Sequence, residues 1–204
     1  MGELLKALEP AIKKLKSENQ KEILEGIAEL SRQNDKRLLQ LAALYIIPLL
    51  NNEDSVVRMQ AMSALGAIGP DAVSGLNEAL VSDDKTLKTN AANTLYNIIK
   101  KHGRQGVKVQ VGALLELLKD PDMQVVKAAV KLLGETGGRT VIPFLEKLKN
   151  ADLVKNDVDE AIKKIEEREP SLEEKLKILK ERIKDTEQTI KQPPRATPTP
   201  AKKK

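Results

Sequence analysis

A stretch opening at Asp54 recurs along this chain at helical spacing, and that recurrence constrains the fold more than any other feature. Asp54-Ser-Val-Val-Arg-Met-Gln-Ala-Met-Ser-Ala-Leu-Gly aligns with Asp84-Lys-Thr-Leu-Lys-Thr-Asn-Ala-Ala-Asn-Thr-Leu-Tyr at an offset of 30. Val57 then falls over Leu87, Arg58 over Lys88, Ala61 over Ala91, Leu65 over Leu95 and Ile68 over Ile98. A third copy opens at Asp122, offset 68 from Asp54, and places Val125, Ala129, Leu133, Gly134 and Gly137 on Val57, Ala61, Leu65, Gly66 and Gly69. Its basic residue slips one place, to Lys127. Before each copy lies a shorter apolar segment that ends in an acidic or amide turn: IIPLLNNED, LNEALVSDD, LLELLKDPD and, less regularly, FLEKLKNAD. Each unit therefore reads helix, tight turn, helix. A period of this length means stacked units that share one continuous core.

The rest of the chain agrees. Apolar residues fall three and four apart, and no stretch alternates strictly enough for a half-buried strand. The expected first helices of the units (A) span about 36–50, 71–81, 106–118 and 139–149, and the second helices (B) about 53–68, 84–101, 122–136 and 152–168. Residues 3–16 and 19–33 form a less regular pair that caps the N-terminal end, as solenoid ends require. The organisation expected is capping helices over 1–35, repeats over 36–168, an amphipathic helix over 169–191 and a disordered Pro/Lys-rich tail over 192–204. Pro70, Pro121 and Pro170 stand at or near first turns, where a missing N–H costs nothing. Pro143 suits a first turn, and Pro48 is expected to kink its helix.

This pattern resembles the HEAT repeat family, in particular its short, phycobilisome-lyase-like variety, over about residues 36–168. The resemblance implies an all-α solenoid whose mid-helix alanines let neighbouring helices approach closely. It also implies a ladder of charges, with Asp54 beside Arg58, Asp84 beside Lys88, and Asp122 with Lys127 as an irregular rung. The Asp that opens each B helix suits the cap position, where its carboxylate accepts from free backbone N–H groups. Proteins of this kind serve mostly in binding. Related repeats also occur in phycobilin lyases and in some folds that repair alkylated DNA, but the absence of Trp and the single His argue against either activity here.

Composition narrows the chemistry. There is no Cys, which excludes disulfides, thiolate metal cages and a cysteine nucleophile, and one His excludes a multi-histidine metal site. That imidazole, His102, stands beside Gly103 at a helix end with no cluster of acids around it, a place where a partly charged ring is favoured by the helix dipole. The segment Gly134-Glu-Thr-Gly-Gly-Arg-Thr140 looks like a phosphate-binding loop but fails: Leu133 stands where the first Gly is needed, Arg139 replaces the lysine, and a helix precedes it. Gly137 and Gly138 are expected to supply a left-handed helix exit and a turn instead. No catalytic residue and no cofactor or metal is expected, so the chain is read as a non-catalytic scaffold or adaptor.

Its expected partner is a protein held along the outward positions of the B helices, the side that usually lines the concave face of a solenoid. Repeat alignment gives these as Met59, Thr89 and Lys127; Gln60, Asn90 and Ala128; Ser63, Asn93 and Lys131; and Ala67, Asn97 and Glu135. The alternative is nucleic-acid or ribosome association through a basic connection, Lys100, Lys101, Arg104 and Lys108, and a basic end, Arg195, Lys202, Lys203 and Lys204. The net charge of +5 owes +4 to residues 192–204, so the body is nearly neutral, and 1% aromatic content offers little for base stacking.

Two further expectations complete the reading. Over 171–191, Leu172, Leu176, Leu179, Ile183, Thr186 and Ile190 run at alternating spacings of 4 and 3, a heptad seam that suits either a short coiled coil pairing two copies or a terminal helix packed on the last repeat. No signal peptide or spanning segment is visible, since the longest apolar run is Leu41–Leu50, which implies a soluble, cytoplasmic protein without membrane contact.

Overall fold

The computed structural model describes residues 2–169 and 172–191, which divide into two compact units, one ending at Ile165 and one beginning at Glu166. The first unit is an all-α solenoid. Its helices are α1 (Gly2–Lys14), α2 (Gln20–Ser31), α3 (Lys36–Ile46), α4 (Ser55–Ile68), α5 (Val73–Ala79), α6 (Lys85–His102), α7 (Val111–Leu117), α8 (Met123–Thr136), α9 (Ile142–Glu146) and α10, which begins at Lys155 and runs to Arg168 across the division. Helix α11 (Leu172–Lys191) belongs to the second unit.

The B helices start where the repeated aspartates predict. Asp54 accepts from the Val56 N–H at 2.7 Å, Asp84 from Leu87 at 2.7 Å and Asp122 from Gln124 at 2.8 Å, while Asp35 and Asn19 cap α3 and α2 in the same way. A second regularity lies two residues earlier. The backbone N–H of four of these caps donates to a short polar side chain: Asn19 to Ser17, Asp54 to Asn52, Asp84 to Ser82 and Asp122 to Asp120, at 2.8–3.1 Å. Each tight turn is thus locked before its helix begins.

Helices α2, α4, α6 and α8 pack in succession as one row, with α3, α5 and α7 beside them as the second layer. The aligned small residues Ala61, Ala91 and Ala129 are fully buried along this row, with Leu65, Leu95 and Leu133 filling the space between helices. Helix α8 also approaches α10 closely: a Cβ at Gly134 would lie 2.9 Å from the Ala161 Cα and 3.0 Å from its Cβ, so glycine is needed for the approach itself.

Prolines act as expected at the unit starts. Pro48 ends regular α-helix geometry, and Ile47–Asn51 continue as a 3-10 helix; Pro70 and Pro143 sit in first turns. Pro10 lies inside α1. Pro170 falls outside the described residues, as does the expected tail over 192–204.

Three expectations are corrected. The second layer is shorter than its sequence pattern, most clearly at α7, which starts at Val111 instead of 106 because residues 103–110 run as a non-helical connection with left-handed Gly103 and Gly106. Gly137 does not make a left-handed exit: its φ is −68° and Gly138's is −99°. Gly137 is instead required for space, since a Cβ there would stand 2.7 Å from the Val141 Cγ2 and 2.8 Å from the Leu133 carbonyl oxygen. The left-handed exit occurs at Gly69, with φ of 71°.

The charge ladder is also built differently. Lys88 pairs with Asp120 of the next turn rather than with Asp84, and Lys85 reaches Asp122 at 2.6 Å. Lys127 pairs with Asp157 at 3.3 Å, and Asn51 donates to Asp84 at 2.7 Å. Arg58 gives both its hydrogen bonds to backbone, the carbonyls of Asn52 and Glu53. The physical reason is reach: a carboxylate at a cap is turned toward its own N–H groups, and the side chain that comes within range of its outer oxygen belongs to the neighbouring unit.

Candidate binding surface

The expected partner-facing residues lie along one row of helices, and the structure sorts them into two regions. On α4 and α6, Met59 (66% exposed), Gln60, Ser63 and Asn97 are open to solvent, whereas Thr89, Asn90 and Asn93 are half-buried. Asn90 is committed to the fold, because its side-chain N–H donates to the Leu50 carbonyl at 2.8 Å and stitches α6 to the preceding unit. Thr89 Oγ1 donates to the Lys85 carbonyl at 2.7 Å. Met59, Gln60, Ser63, Asn93 and Asn97 form an uncharged set on two adjacent helices.

On α8 and α10 the row turns ionic. Lys127 and Lys131 both approach Asp157, at 3.3 and 3.6 Å, and Lys164 bridges Glu135 at 3.0 Å and Glu160 at 2.7 Å. Lys164 also stands 5.9 Å from the centroid of the Tyr96 ring. These groups surround a small cleft lined by Tyr96, Lys131, Asp157, Glu160, Ala161 and Lys164. Burial works against the charge on Lys164, but its hydrogen bonds to Glu160 and Glu135 outweigh it and raise the ammonium above the ordinary lysine range. The same bond lowers the Glu160 carboxyl. Ala128 is buried, contrary to its expected outward position, because α8 is covered on more of its circumference than α4 or α6.

Of the basic connection, Lys100, Lys101, Arg104 and Lys108 are all exposed. Arg104 donates to the Thr136 carbonyl at 3.1 Å and so fastens the connection to the end of α8. Arg195, Lys202, Lys203 and Lys204 lie outside the described residues.

Two residues organise this region: Asn77, which was not singled out from the sequence, and His102, which was expected only as a ring at a helix end. Asn77 on α5 is buried, donates to the Lys108 carbonyl at 2.8 Å and accepts from the Gln110 N–H at 3.1 Å, so one amide holds the C-terminal end of the connection. The sequence signal was a polar residue on the buried face of a short apolar helix. His102 Nε2 lies 2.9 Å from the Gly66 carbonyl. In a continuing helix that carbonyl would accept from residue 70, but residue 70 is proline and has no N–H, so the imidazole supplies the missing donor. The ring also fills the space over Gly69, where a Cβ would be 2.9 Å from Nε2. The one histidine is thus a helix-end donor.

Among the described residues, no group of three or more His, Asp or Glu is placed to hold a metal ion, and no helix is long and apolar enough to cross a membrane.

Comparison with known proteins agrees with the architecture. Residues 57–82, which take in most of α4 and the whole of α5, match the PBS lyase HEAT-like repeat. A curated relative, the uncharacterized phycocyanin operon protein Z of Pseudanabaena tenuis, is 33% identical over 109 residues, covering 52% of this chain and 54% of the relative. The match therefore spans about half the length of that protein. Solved structures similar to this chain include an engineered protein (22% identity, 78% of this chain and 79% of that one, TM-score 0.49) and a designed armadillo repeat protein in complex with a (KR)4 peptide (21% identity, 80% and 84%, TM-score 0.47). Over residues 57–82 this chain is similar to a HEAT-like repeat of the PBS-lyase type.

Proposed function

We propose that this solenoid is a non-catalytic adaptor that docks a partner protein on the α4–α6 part of its helix row. The observation that carries this reading is the contrast within the row. The lysines and acids of α8 and α10 neutralise one another, whereas Met59, Gln60, Ser63 and Asn97 are uncharged and open to solvent, with half-buried Asn93 on the same row. An exposed methionine ringed by amides and a hydroxyl offers an adaptable apolar contact with donors and acceptors around it. The helices beneath are fixed by the shared core, so docking there carries little ordering cost. Lys127 and Lys131 would form the charged border of the same surface, with Thr89 and Asn90 contributing mainly by shaping it.

The relative named for a phycocyanin operon makes the products of such an operon the first partners to test. The experiment is affinity purification from the native cell at low and high salt, comparing the natural chain with M59E/N93E/N97E. Loss of a salt-resistant partner in the variant, with the circular dichroism spectrum retained, supports the reading; unchanged capture overturns it. A second reading, polyanion contact through Lys100, Lys101, Arg104 and Lys108, is favoured by the exposure of all four around one connection. It requires binding that falls steeply with salt.

A further inference from the structure

We propose that α11 is a docking helix for an acidic amphipathic helix of another protein, independent of the surface on the solenoid. Three observations define the occupant.

The first is an apolar seam open to solvent. Leu176, Leu179 and Ile183 are 56%, 53% and 58% exposed, whereas the equivalent large residues of the solenoid, such as Leu65 and Leu95, are fully buried. Their spacings of 3 and 4 put them on one narrow stripe, and in sequence the heptad pattern extends to Leu172, Thr186 and Ile190. Ile178, 42% exposed, adds one apolar side chain beside them at position c. A stripe concentrated at heptad positions a and d is the seam of a helix pair. A helix that lies on a lipid surface carries a broader apolar face and a larger apolar fraction.

The second is the charge along its borders. With Leu176 and Ile183 at position a and Leu179 at d, the positions flanking this central stretch are Lys175 and Arg182 at g and Lys180 at e, with Lys177 and Lys184 just outside; the e positions beyond either end, 173 and 187, are both Glu. All five basic side chains are exposed, whereas Lys127, Lys131 and Lys164 of the solenoid each pair with a carboxylate.

The third is that a second copy of the same helix does not satisfy them. In a full-overlap antiparallel pair Lys180 would face Lys180 and Arg182 would face Arg182 of the other copy. In a parallel pair Lys175 would face Lys180, a like-charge contact that offsets the pairing of Arg182 with position 187, a Glu. Thr186 at a d position weakens self-pairing further. A partner with Leu or Ile along its seam and Glu or Asp opposite Lys175, Lys180 and Arg182 satisfies the basic centre of this seam.

The test uses the full chain and three probes: a peptide of about three heptads with Leu/Ile at a and d and Glu at e and g, the same peptide with Lys at e and g, and vesicles of phosphatidylcholine with about 30% phosphatidylglycerol. Fluorescence anisotropy should give binding of the Glu peptide at least about threefold tighter than the Lys peptide, since the basic positions 175, 180 and 182 outnumber the acidic 173 and 187. L176S/L179S/I183S, whose positions are exposed and so leave the solenoid intact by circular dichroism, should abolish binding. K175E/K180E/R182E should reverse the preference between the two peptides. Equal affinity for both peptides, a preference that survives the charge reversal, binding to the vesicles but not the Glu peptide, or a stable dimer by sedimentation at micromolar concentration would each overturn the proposal.

Discussion

Replacing Asn77 by Leu keeps the volume of the side chain, removes its polar head, and tests whether one buried amide holds the long connection in place. Two hydrogen bonds disappear: Nδ2 to the Lys108 carbonyl at 2.8 Å and the Gln110 N–H to Oδ1 at 3.1 Å. Each is worth about 1 kcal/mol net, and a backbone group left unpaired in a buried place costs about 1–3 kcal/mol more. Lys108 and Gln110 are themselves exposed, so water recovers part of the loss and the lower end of that range applies. The expected destabilisation is about 2 kcal/mol, more than a tenfold change in the ratio of folded to unfolded chains. Urea denaturation followed by circular dichroism measures it, and hydrogen exchange should show the amide of Gln110 losing protection while those within α4 keep theirs. Asn77→Asp refines the test. Its ionised form keeps the acceptor but turns an oxygen toward the Lys108 carbonyl, which raises the folded-state pKa of the new group. The stability of that variant should therefore recover toward the natural chain as pH falls through the raised value, opposite in sign to ordinary acid destabilisation. A Leu variant within about 0.5 kcal/mol of the natural chain, the range of ordinary surface substitutions, with unchanged exchange at Gln110, would refute the reasoning.

Three other outcomes are expected. His102→Ala should cost about 1 kcal/mol by leaving the Gly66 carbonyl without a donor, and less in a Pro70→Ala background, where residue 70 regains its N–H; equal cost in both backgrounds, by urea denaturation, would sink the account. Gly134→Val should destabilise by about 1–3 kcal/mol because the first atom of its side chain already meets Ala161, whereas Gly112→Ala, with open space around it, should be close to neutral; thermal melts of the pair decide it. Asp54, Asp120 and Asp122 are all held below the usual carboxylate range, chiefly by the Val56 N–H, by Lys88 and by Lys85 respectively. A depressed folded value means stability present above the unfolded carboxylate pKa, about 3.9, and lost as pH falls through the folded values, so denaturation midpoints should hold from neutrality to about pH 5 and decline below it.

What the sequence by itself determined is the repeat and its phase. Asp54, Asp84 and Asp122 mark the helix starts because capping is a local interaction, complete within four residues of chain. Ala61, Ala91 and Ala129 mark the buried line because burial follows the helical period, which the chain carries in its own spacing. The heptad seam of α11 was legible for the same reason.

Everything that joins one unit to the next was decided by the tertiary structure. Lys88 finds Asp120 instead of Asp84, Asn90 turns from the presumed docking surface to the Leu50 carbonyl, and Lys127 and Lys131 share Asp157. His102 and Asn77 find their partners 36 and 31 residues away. Such pairs depend on which side chains two separately wound helices bring within about 3 Å of each other, the span of a hydrogen bond. A one-dimensional spacing determines the face on which a residue stands. It does not determine which neighbour arrives opposite, and that choice divides the helix row into an ionic half spent on the fold and an uncharged half left open.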